Sequence, residues 1–523
     1  MNSAIRKAAI LFVLTGMLLS ACDAKLWGSY YLDVTPSPTS TWTVLADPEP
    51  TSTNVPLTPS ATPTTTVLPS PTDTPTAVVT PGTLRPAIVY SSQSGDSLEA
   101  VALHFGVAVS EITSSVDLPA TGLLNPNTPL AIPNLFSQTP TTPSRQIIPD
   151  CELVYSPCAQ SFDIQGYVSS AGGKLSTFHE ARGNGLITGA EGVQQLAYNS
   201  SVSPRMLLAL IQYYTGWVQG EPKPDVDETY PLGYHDPLYT GLYQQQRLII
   251  RELLAGYYGW RDGRLTSLTF PDGTTLRIAP GLNAGTVALQ YFFSRHLNQA
   301  DWLQAIDPVS GFPALFTSMF GDPWEHAQET GPLFPPDLTQ PPFTLPFEVG
   351  VPWTLTGGPH PAWDQESAWA AMDFAPPMDA AGCGVSTAWV VAVASGLIVR
   401  SGDGYVVLDT DRDGFEQTGW VVLYLHIATK DRIPVGKVVY PGDHIGHPSC
   451  EGGELVTGTH VHIARKYNGE WVSAGDPLPF VLSGWTAHTG SAPYQGTLTK
   501  GDKVVTASVV SEGKSQIIRQ PGE

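Results

Sequence analysis

Thr457-Gly458-Thr459-His460-Val461-His462-Ile463-Ala464 sets two histidines two residues apart in a β-branched, apolar context. That composition predicts a strand, and on a strand residues i and i+2 point to the same face. One face therefore carries two imidazoles. Imidazole is the commonest zinc ligand and the usual proton carrier near neutral pH, so one rigid strand can supply a ligand and a proton handler. A polar rim on a half-exposed strand has the same pattern, and these eight residues alone leave both readings open.

Upstream of this stretch, short apolar runs at Trp389-Val390-Val391-Ala392-Val393, Leu397-Ile398-Val399, Tyr405-Val406-Val407-Leu408 and Trp420-Val421-Val422-Leu423 are separated by Gly-Asp or Ser-Gly turns. They predict an antiparallel sheet. His360 and Asp373 fall at its start, His426 in its middle and His460 with His462 at its end. A catalytic zinc site needs three protein ligands, one open position and proton-handling neighbours, and these five residues make up such a set.

Gly357-Gly358-Pro359-His360, Met372-Asp373-Phe374-Ala375-Pro376, Tyr424-Leu425-His426-Ile427-Ala428 and Thr459-His460-Val461-His462 stand in this order. So arranged, residues 350 to 482 resemble the M23 (LytM/lysostaphin-type) metallopeptidases. The resemblance implies zinc as cofactor, His360, Asp373 and His462 as its ligands, and His426 and His460 as the catalytic pair. The family's first motif is commonly His-x-x-x-Asp, whereas twelve residues separate His360 from Asp373 here. Asp364 has the usual spacing and competes for the ligand role. The context Asp-Phe-Ala-Pro favours Asp373, and an insertion in a turn between strands costs little. The insertion carries Trp363 and Trp369 and is expected to form a groove wall.

Other polar groups in this half have quieter readings. Asp409-Thr410-Asp411-Arg412-Asp413-Gly414 has the first half of a calcium loop, but Trp420 stands where the bidentate Glu belongs. An acidic hairpin turn is the favoured reading. His444 and His447 are expected in a loop after Pro441-Gly442, and the tail from Trp485 is expected to form a hairpin with a frayed end.

Between residues 151 and 347 the chain alternates helical periodicity with Gly/Pro loops, with helices expected at Pro204 to Tyr214, Leu242 to Ala255 and Ala284 to Asn298. The segment from Val202 to Ile211, followed by Thr215-Gly216-Trp217, resembles the catalytic helix of lysozyme-like transglycosylases. Those enzymes carry a general-acid Glu where this chain has Tyr214, so the resemblance implies a relative without that chemistry. Glu180 and Glu191 are expected to be solvated surface residues.

Further toward the N-terminus, Ser94-Gly95-Asp96-Ser97-Leu98, Phe105-Gly106-Val107 and Leu130-Ala131-Ile132-Pro133 resemble LysM, a small βααβ module that binds N-acetylglucosamine-containing glycans. The match covers about residues 87 to 134, and His104 is expected to face solvent. The Thr/Pro/Ser-rich run from Val34 to Arg85 cannot bury enough apolar surface to order itself and reads as a tether with a reach on the order of 150 Å.

The first residues carry Arg6 and Lys7, an apolar run from Ala8 to Leu19 and then Leu19-Ser20-Ala21-Cys22. A charged start, a short apolar core and a small-residue cleavage site predict export. Leu-Ser-Ala-Cys resembles the lipobox of bacterial lipoproteins, which implies a lipidated Cys22 and a membrane attachment. The remaining four of five cysteines are expected to pair as Cys151 with Cys158 and Cys383 with Cys450. A formal charge of −21 over 523 residues argues against nucleic acid and anionic lipid surfaces as main partners.

The reading is a multidomain α+β chain. It comprises a signal (1–21), a tether (22–86), a LysM module (87–134), a linker (135–150), a helical domain (151–347), an antiparallel β peptidase domain (348–482) and a C-terminal extension (483–523). The expected function is a zinc endopeptidase acting on the peptide part of peptidoglycan. The alternative is a non-catalytic wall-binding or amidase-regulating protein on the same fold.

Overall fold

The computed structural model describes residues 87–136, 138–183, 185–377, 382–453, 456–510 and 512–523. The export signal, Cys22 and the tether lie outside the described residues. Among those described, no helix is long and apolar enough to cross a membrane.

The first element group is β1 (Ala87–Ser91), the helix Leu98–Phe105, a 3₁₀ turn Val109–Glu111, β2 (Thr113–Ser114) and β3 (Pro129–Pro133), in the antiparallel order β1-β3-β2. Ser97 caps the helix by accepting from the Ala100 N–H at 3.2 Å, and Gly106 ends it with φ of 65°. The second helix of the expected βααβ pattern is thus a single 3₁₀ turn, followed by an added short strand. His104 does not face solvent. It is buried, stacks on Trp260 at 3.5 Å and 6°, and donates through Nε2 to the Trp260 carbonyl at 2.8 Å. A residue on the outer face of an isolated module has become an interface residue because the module docks on the helical body.

That body contains the helices Ile164–Ala171, Gly189–Ser200, Pro204–Thr215, Gly241–Arg261, Ala284–Ser294, Gln299–Ala305, Phe312–Phe320 and Pro323–Thr330. It also contains the hairpins β4 (His179–Arg182) with β5 (Gly185–Thr188) and β6 (Ser267–Thr269) with β7 (Thr275–Arg277). The helix expected to reach Asn298 stops at Ser294. Asn298 instead caps the next helix, its Oδ1 accepting from the N–H groups of Ala300 and Asp301 at 3.0 and 3.1 Å. Glu180 and Glu191 are likewise helix-terminus acceptors, for the Tyr243 and Thr188 N–H groups at 2.7 and 2.8 Å.

The C-terminal half runs β8 (Pro352–His360), β9 (Ala371–Ala375), β10 (Val390–Val391), β11 (Gly396–Gly402), β12 (Tyr405–Asp409), β13 (Trp420–Leu425), β14 (Val438–Val439), β15 (His444–Gly446), β16 (Val461–Tyr467), β17 (Glu470–Trp471), β18 (Val481–Leu482), β19 (Trp485–Thr489), β20 (Gly496–Lys500), β21 (Lys503–Thr506) and β22 (Gln516–Ile518). The main sheet has the antiparallel order β14-β11-β12-β13-β16-β9-β8-β22, with β17 paired to β16. β18 to β21 form a second sheet and β10 pairs with β15. The tail is therefore not frayed: β22 completes the edge of the main sheet against β8.

Both faces of this sheet are covered, which is why all six residues of β13 are buried and its sequence is apolar without alternation. Val406, Leu408, Val422, Tyr424 and Ile463 pack with Phe347, Trp353 and Phe480. Val407, Val421, Leu423 and Ala464 pack instead into the core of the helical body. The insertion after His360 joins this second interface. Ala362, Ala368 and Ala370 are buried in the helical core, and the Trp369 carbonyl accepts from the Ala474 N–H at 2.8 Å. The stretch expected as a groove wall is thus mainly a seat for the helical body, because its small alanines fit a close interface that bulky residues would hold apart.

Arg261 ties the pieces together. Its guanidinium donates to Glu470 on β17 at 2.8 Å, to Asp150 at 2.9 Å and to the Ser94 carbonyl at 2.5 Å. Both expected disulfides form, Cys151 with Cys158 and Cys383 with Cys450.

Candidate active site

Asp373 on β9 and His462 on β16 are direct cross-strand partners, so their side chains leave the same face of the sheet. It is the face that meets the helical body, since the flanking Met372, Phe374, Val461 and Ile463 point into the opposite core. His360 reaches them from the end of β8, where the register with β9 shifts twice between Leu355 and His360. Gly357 makes the space: a Cβ there would lie 2.6 Å from Asp373 Oδ2.

The three donor atoms converge. His360 Nε2 lies 3.0 Å from His462 Nδ1, and Asp373 Oδ1 lies 3.3 Å from each. The far nitrogen of each imidazole is held by a backbone carbonyl: His360 Nδ1 donates to Gly358 O and His462 Nε2 to Ala362 O, both at 2.8 Å. A carbonyl can only accept, so the protons sit on the far nitrogens and the two near nitrogens present lone pairs. Three acceptors therefore face one another, and Asp373 Oδ1 is buried without a hydrogen-bond donor. Such a set stabilises positive charge at its centre. A tetrahedral ion with bonds of roughly 2.0–2.1 Å has ligand atoms roughly 3.3–3.4 Å apart, which fits the spacing and chemistry of a zinc site.

His460 and His426 stand beside this centre. His460 Nδ1 donates to Gly458 O at 2.8 Å and its Nε2 lies 3.6 Å from Asp373 Oδ1. His426 Nδ1 donates to Glu451 O at 3.2 Å, and the two rings are 4.6 Å apart. His426 has φ of 64°, a left-handed conformation rare for a residue with a Cβ and the kind of local strain found at functional sites. Burial, with repulsion from His460 and His462, pushes its pKa down to about 3. His426 is thus neutral at ordinary pH, a fixed acceptor at Nε2 rather than a store of protons.

All five sequence-expected residues are brought together. Asp364 is not among them: its carboxylate faces Arg251 at 3.6 Å, held there by the insertion's packing on the helical body. His444 lies in β15 rather than a loop and stacks on Trp389 at 4.0 Å, and His447 packs tilted against the same ring at 3.9 Å. The orienting carbonyls were not legible as such, although Gly357-Gly358 mark where the backbone approaches closely. Nothing near His360 in the sequence points to Tyr494, whose ring stacks on it at 4.2 Å and 20°. In the helical body, Tyr214 packs edge-on against Tyr213 and Phe292.

Residues 146–333 match the family model of the LasA N-terminal domain. No curated protein matches the chain. Similar solved structures include a deep-sea M23 metalloprotease, pseudoalterin, 23% identical over 33% of this chain and 96% of that one with a TM-score of 0.27. The lysostaphin catalytic domain from Staphylococcus simulans is 22% identical over 24% and 89% of the two chains, with a TM-score of 0.17. A zinc-containing peptidase from Vibrio cholerae is 19% identical over 27% and 41%, also with a TM-score of 0.17.

Proposed function

We propose that the chain is a zinc-dependent endopeptidase of the M23 type acting on the peptide part of bacterial peptidoglycan. The observation that carries this reading is the meeting of His360 Nε2, Asp373 Oδ1 and His462 Nδ1 at 3.0 to 3.3 Å, each imidazole fixed from behind by a carbonyl. These three residues would hold the ion. A zinc ion there supplies an acidified water and a polarised scissile carbonyl.

The chain's own residues do the rest. His426, held neutral, would orient a water as an acceptor, and His460 would receive its proton at Nε2. His460, with Nδ1 committed to Gly458 O, then delivers a proton from Nε2 to the leaving amine. The helical body and the loop carrying Tyr494 restrict water around His360 and His462, which strengthens each polar contact made there. In this reading Cys22 anchors the chain to the membrane, the tether lets it reach the wall and the 87–134 module docks it on glycan. The helical body scaffolds the site, since Tyr214 in place of a carboxylic acid leaves it no leaving-group acid there.

Incubating the full chain with peptidoglycan and identifying the released fragments by mass spectrometry tests the reading. New peptide amine termini that vanish with a chelator and return with zinc are expected. Absence of fragments from every wall type despite bound zinc would favour the regulatory alternative.

A further inference from the structure

Ser449-Cys450-Glu451-Gly452-Gly453 forms a turn laid against the His426 ring. Its two glycines allow the close approach: both have positive φ, and a Cβ on Gly453 would lie 3.5 Å from His426 Cε1. The turn holds His426 at both ends. The ring donates from Nδ1 to Glu451 O at 3.2 Å, and the His426 carbonyl accepts from Ser449 N–H at 2.7 Å and Ser449 Oγ at 3.1 Å. The turn is itself stapled. Glu451 N–H donates to Ser449 Oγ at 3.0 Å, and the Glu451 carboxylate accepts from Thr429 N–H and Oγ1 at 2.7 and 2.6 Å.

A separate segment fixes His460. Gly382 O accepts from Thr459 N–H at 3.1 Å, while Gly384 donates its N–H to Thr459 Oγ1 at 2.9 Å and accepts from that hydroxyl at 2.7 Å. Thr459 directly precedes His460, so this segment sets how the histidine enters the strand. Cys383 stands between Gly382 and Gly384, Cys450 stands between Ser449 and Glu451, and the disulfide joins the two supports. The three ligand-type residues have other supports. The carbonyls behind His360 and His462 belong to Gly358 and Ala362, and Asp373 is placed by its cross-strand pairing. The two disulfides also differ in access: Cys383 is exposed and Cys450 half-buried, whereas Cys151 and Cys158 are 3% and 8% exposed. Exposed disulfides are the labile and regulatory ones.

We propose that the Cys383–Cys450 disulfide is a reducible brace that positions His426 and His460, so that redox conditions set turnover while the metal ligands stay in place. The proposal rests on the zinc peptidase reading for what the two histidines do. Reduction by a dithiol breaks the S–S bond, gives each cysteine sulfur a proton and closes the dithiol to its own disulfide, a balanced two-electron exchange. The two supports then lose their covalent tie. A misplacement of about 1 Å in a group that handles a proton costs on the order of 10²-fold in rate.

The test compares the full chain in three forms: oxidised, reduced with a dithiol and desalted, and carrying Cys383→Ser with Cys450→Ser. Histidine imidazole NMR, zinc content and steady-state peptide hydrolysis are read on each. Reduction and the double variant are expected to shift the His426 and His460 signals, assigned through His426→Gln and His460→Gln. The His360 and His462 signals and the zinc content should stay as they are. kcat is expected to fall about 10²-fold with KM nearly constant, and re-oxidation of the wild type should restore it. Ser449→Ala keeps the disulfide and should shift His426 alone with a smaller fall in kcat, so it and the reduced chain decide the matter if the double variant does not fold. His426 signals unmoved by reduction or by Ser449→Ala would overturn the proposal. So would zinc lost, or His360 and His462 signals moved as far, in the reduced chain and the double variant alike. Shifted His426 and His460 signals without hydrolysis in any form would remove the peptidase reading and leave the brace standing.

Discussion

Two groups of three ligand-type side chains bring their donor atoms within 4.8 Å of one another among the described residues: His360, Asp373 and His462, and Asp409, Asp411 and Asp413. By proximity alone they are equals. They differ in where their lone pairs are spent. Asp409 accepts from the N–H groups of Asp411 and Arg412 at 3.1 Å and of Gly414 at 2.9 Å, and Asp413 accepts from Phe415 N–H at 2.8 Å and the Thr418 hydroxyl at 2.6 Å. Those carboxylates fold a turn. Asp373 Oδ1 has no such donor, and its two histidine neighbours have donated backward to carbonyls so that only lone pairs face inward. An ion site is a place where acceptors converge with nothing left to donate to them, and only the first group meets that condition.

The sharpest way to break this contrast is at the histidine group. His462→Ala is expected to abolish both zinc binding and peptide hydrolysis, measured by metal content and fragment release, because it removes one of three ligands. Full hydrolysis by this variant in the presence of chelator would sink the proposal. His460→Ala should leave zinc content intact and lower turnover by about 10²–10⁴-fold, the usual range for a lost proton handler. Loss of the metal in that variant would move His460 into the ligand set.

The acidic group should respond to pH rather than to metal. Burial, then a hydrogen bond shared with Asp409, pushes Asp411 up to about 7 from 3.8. Between these values the folded chain holds a proton that the unfolded chain has released, so stability falls as pH rises through that window. Asp411→Asn is expected to flatten this modest fall in a melting series from pH 4 to 7, and added calcium should leave the wild-type melting temperature in place. A calcium-induced rise that Asp411→Asn removes would show that the acidic group is an ion site after all.

The parts of this contrast that sequence reveals are those fixed by local spacing. His460-Val461-His462 had to share a strand face, and Asp373 had a local context that Asp364 lacked. The orientation of those side chains was out of reach because it comes from distant backbone: the Ala362 carbonyl behind His462 is placed by packing of the insertion on the helical body, and the Tyr494 ring over His360 comes from the C-terminal extension. The burial of His104 is out of reach of the sequence for the same reason. Helical periodicity places it on the outer face of a small module and carries no information on Trp260, which covers it from 156 positions away. The junction at Arg261 likewise joins Ser94, Asp150 and Glu470, residues no local pattern connects.

Metal analysis of the purified full chain, beside His462→Ala and an Asp409/Asp411/Asp413→Asn variant, tests the central claim most directly. The account predicts one zinc per chain in the wild type, none in His462→Ala and one in the triple-asparagine variant. Zinc retained in His462→Ala, or lost with the three aspartates, would contradict it.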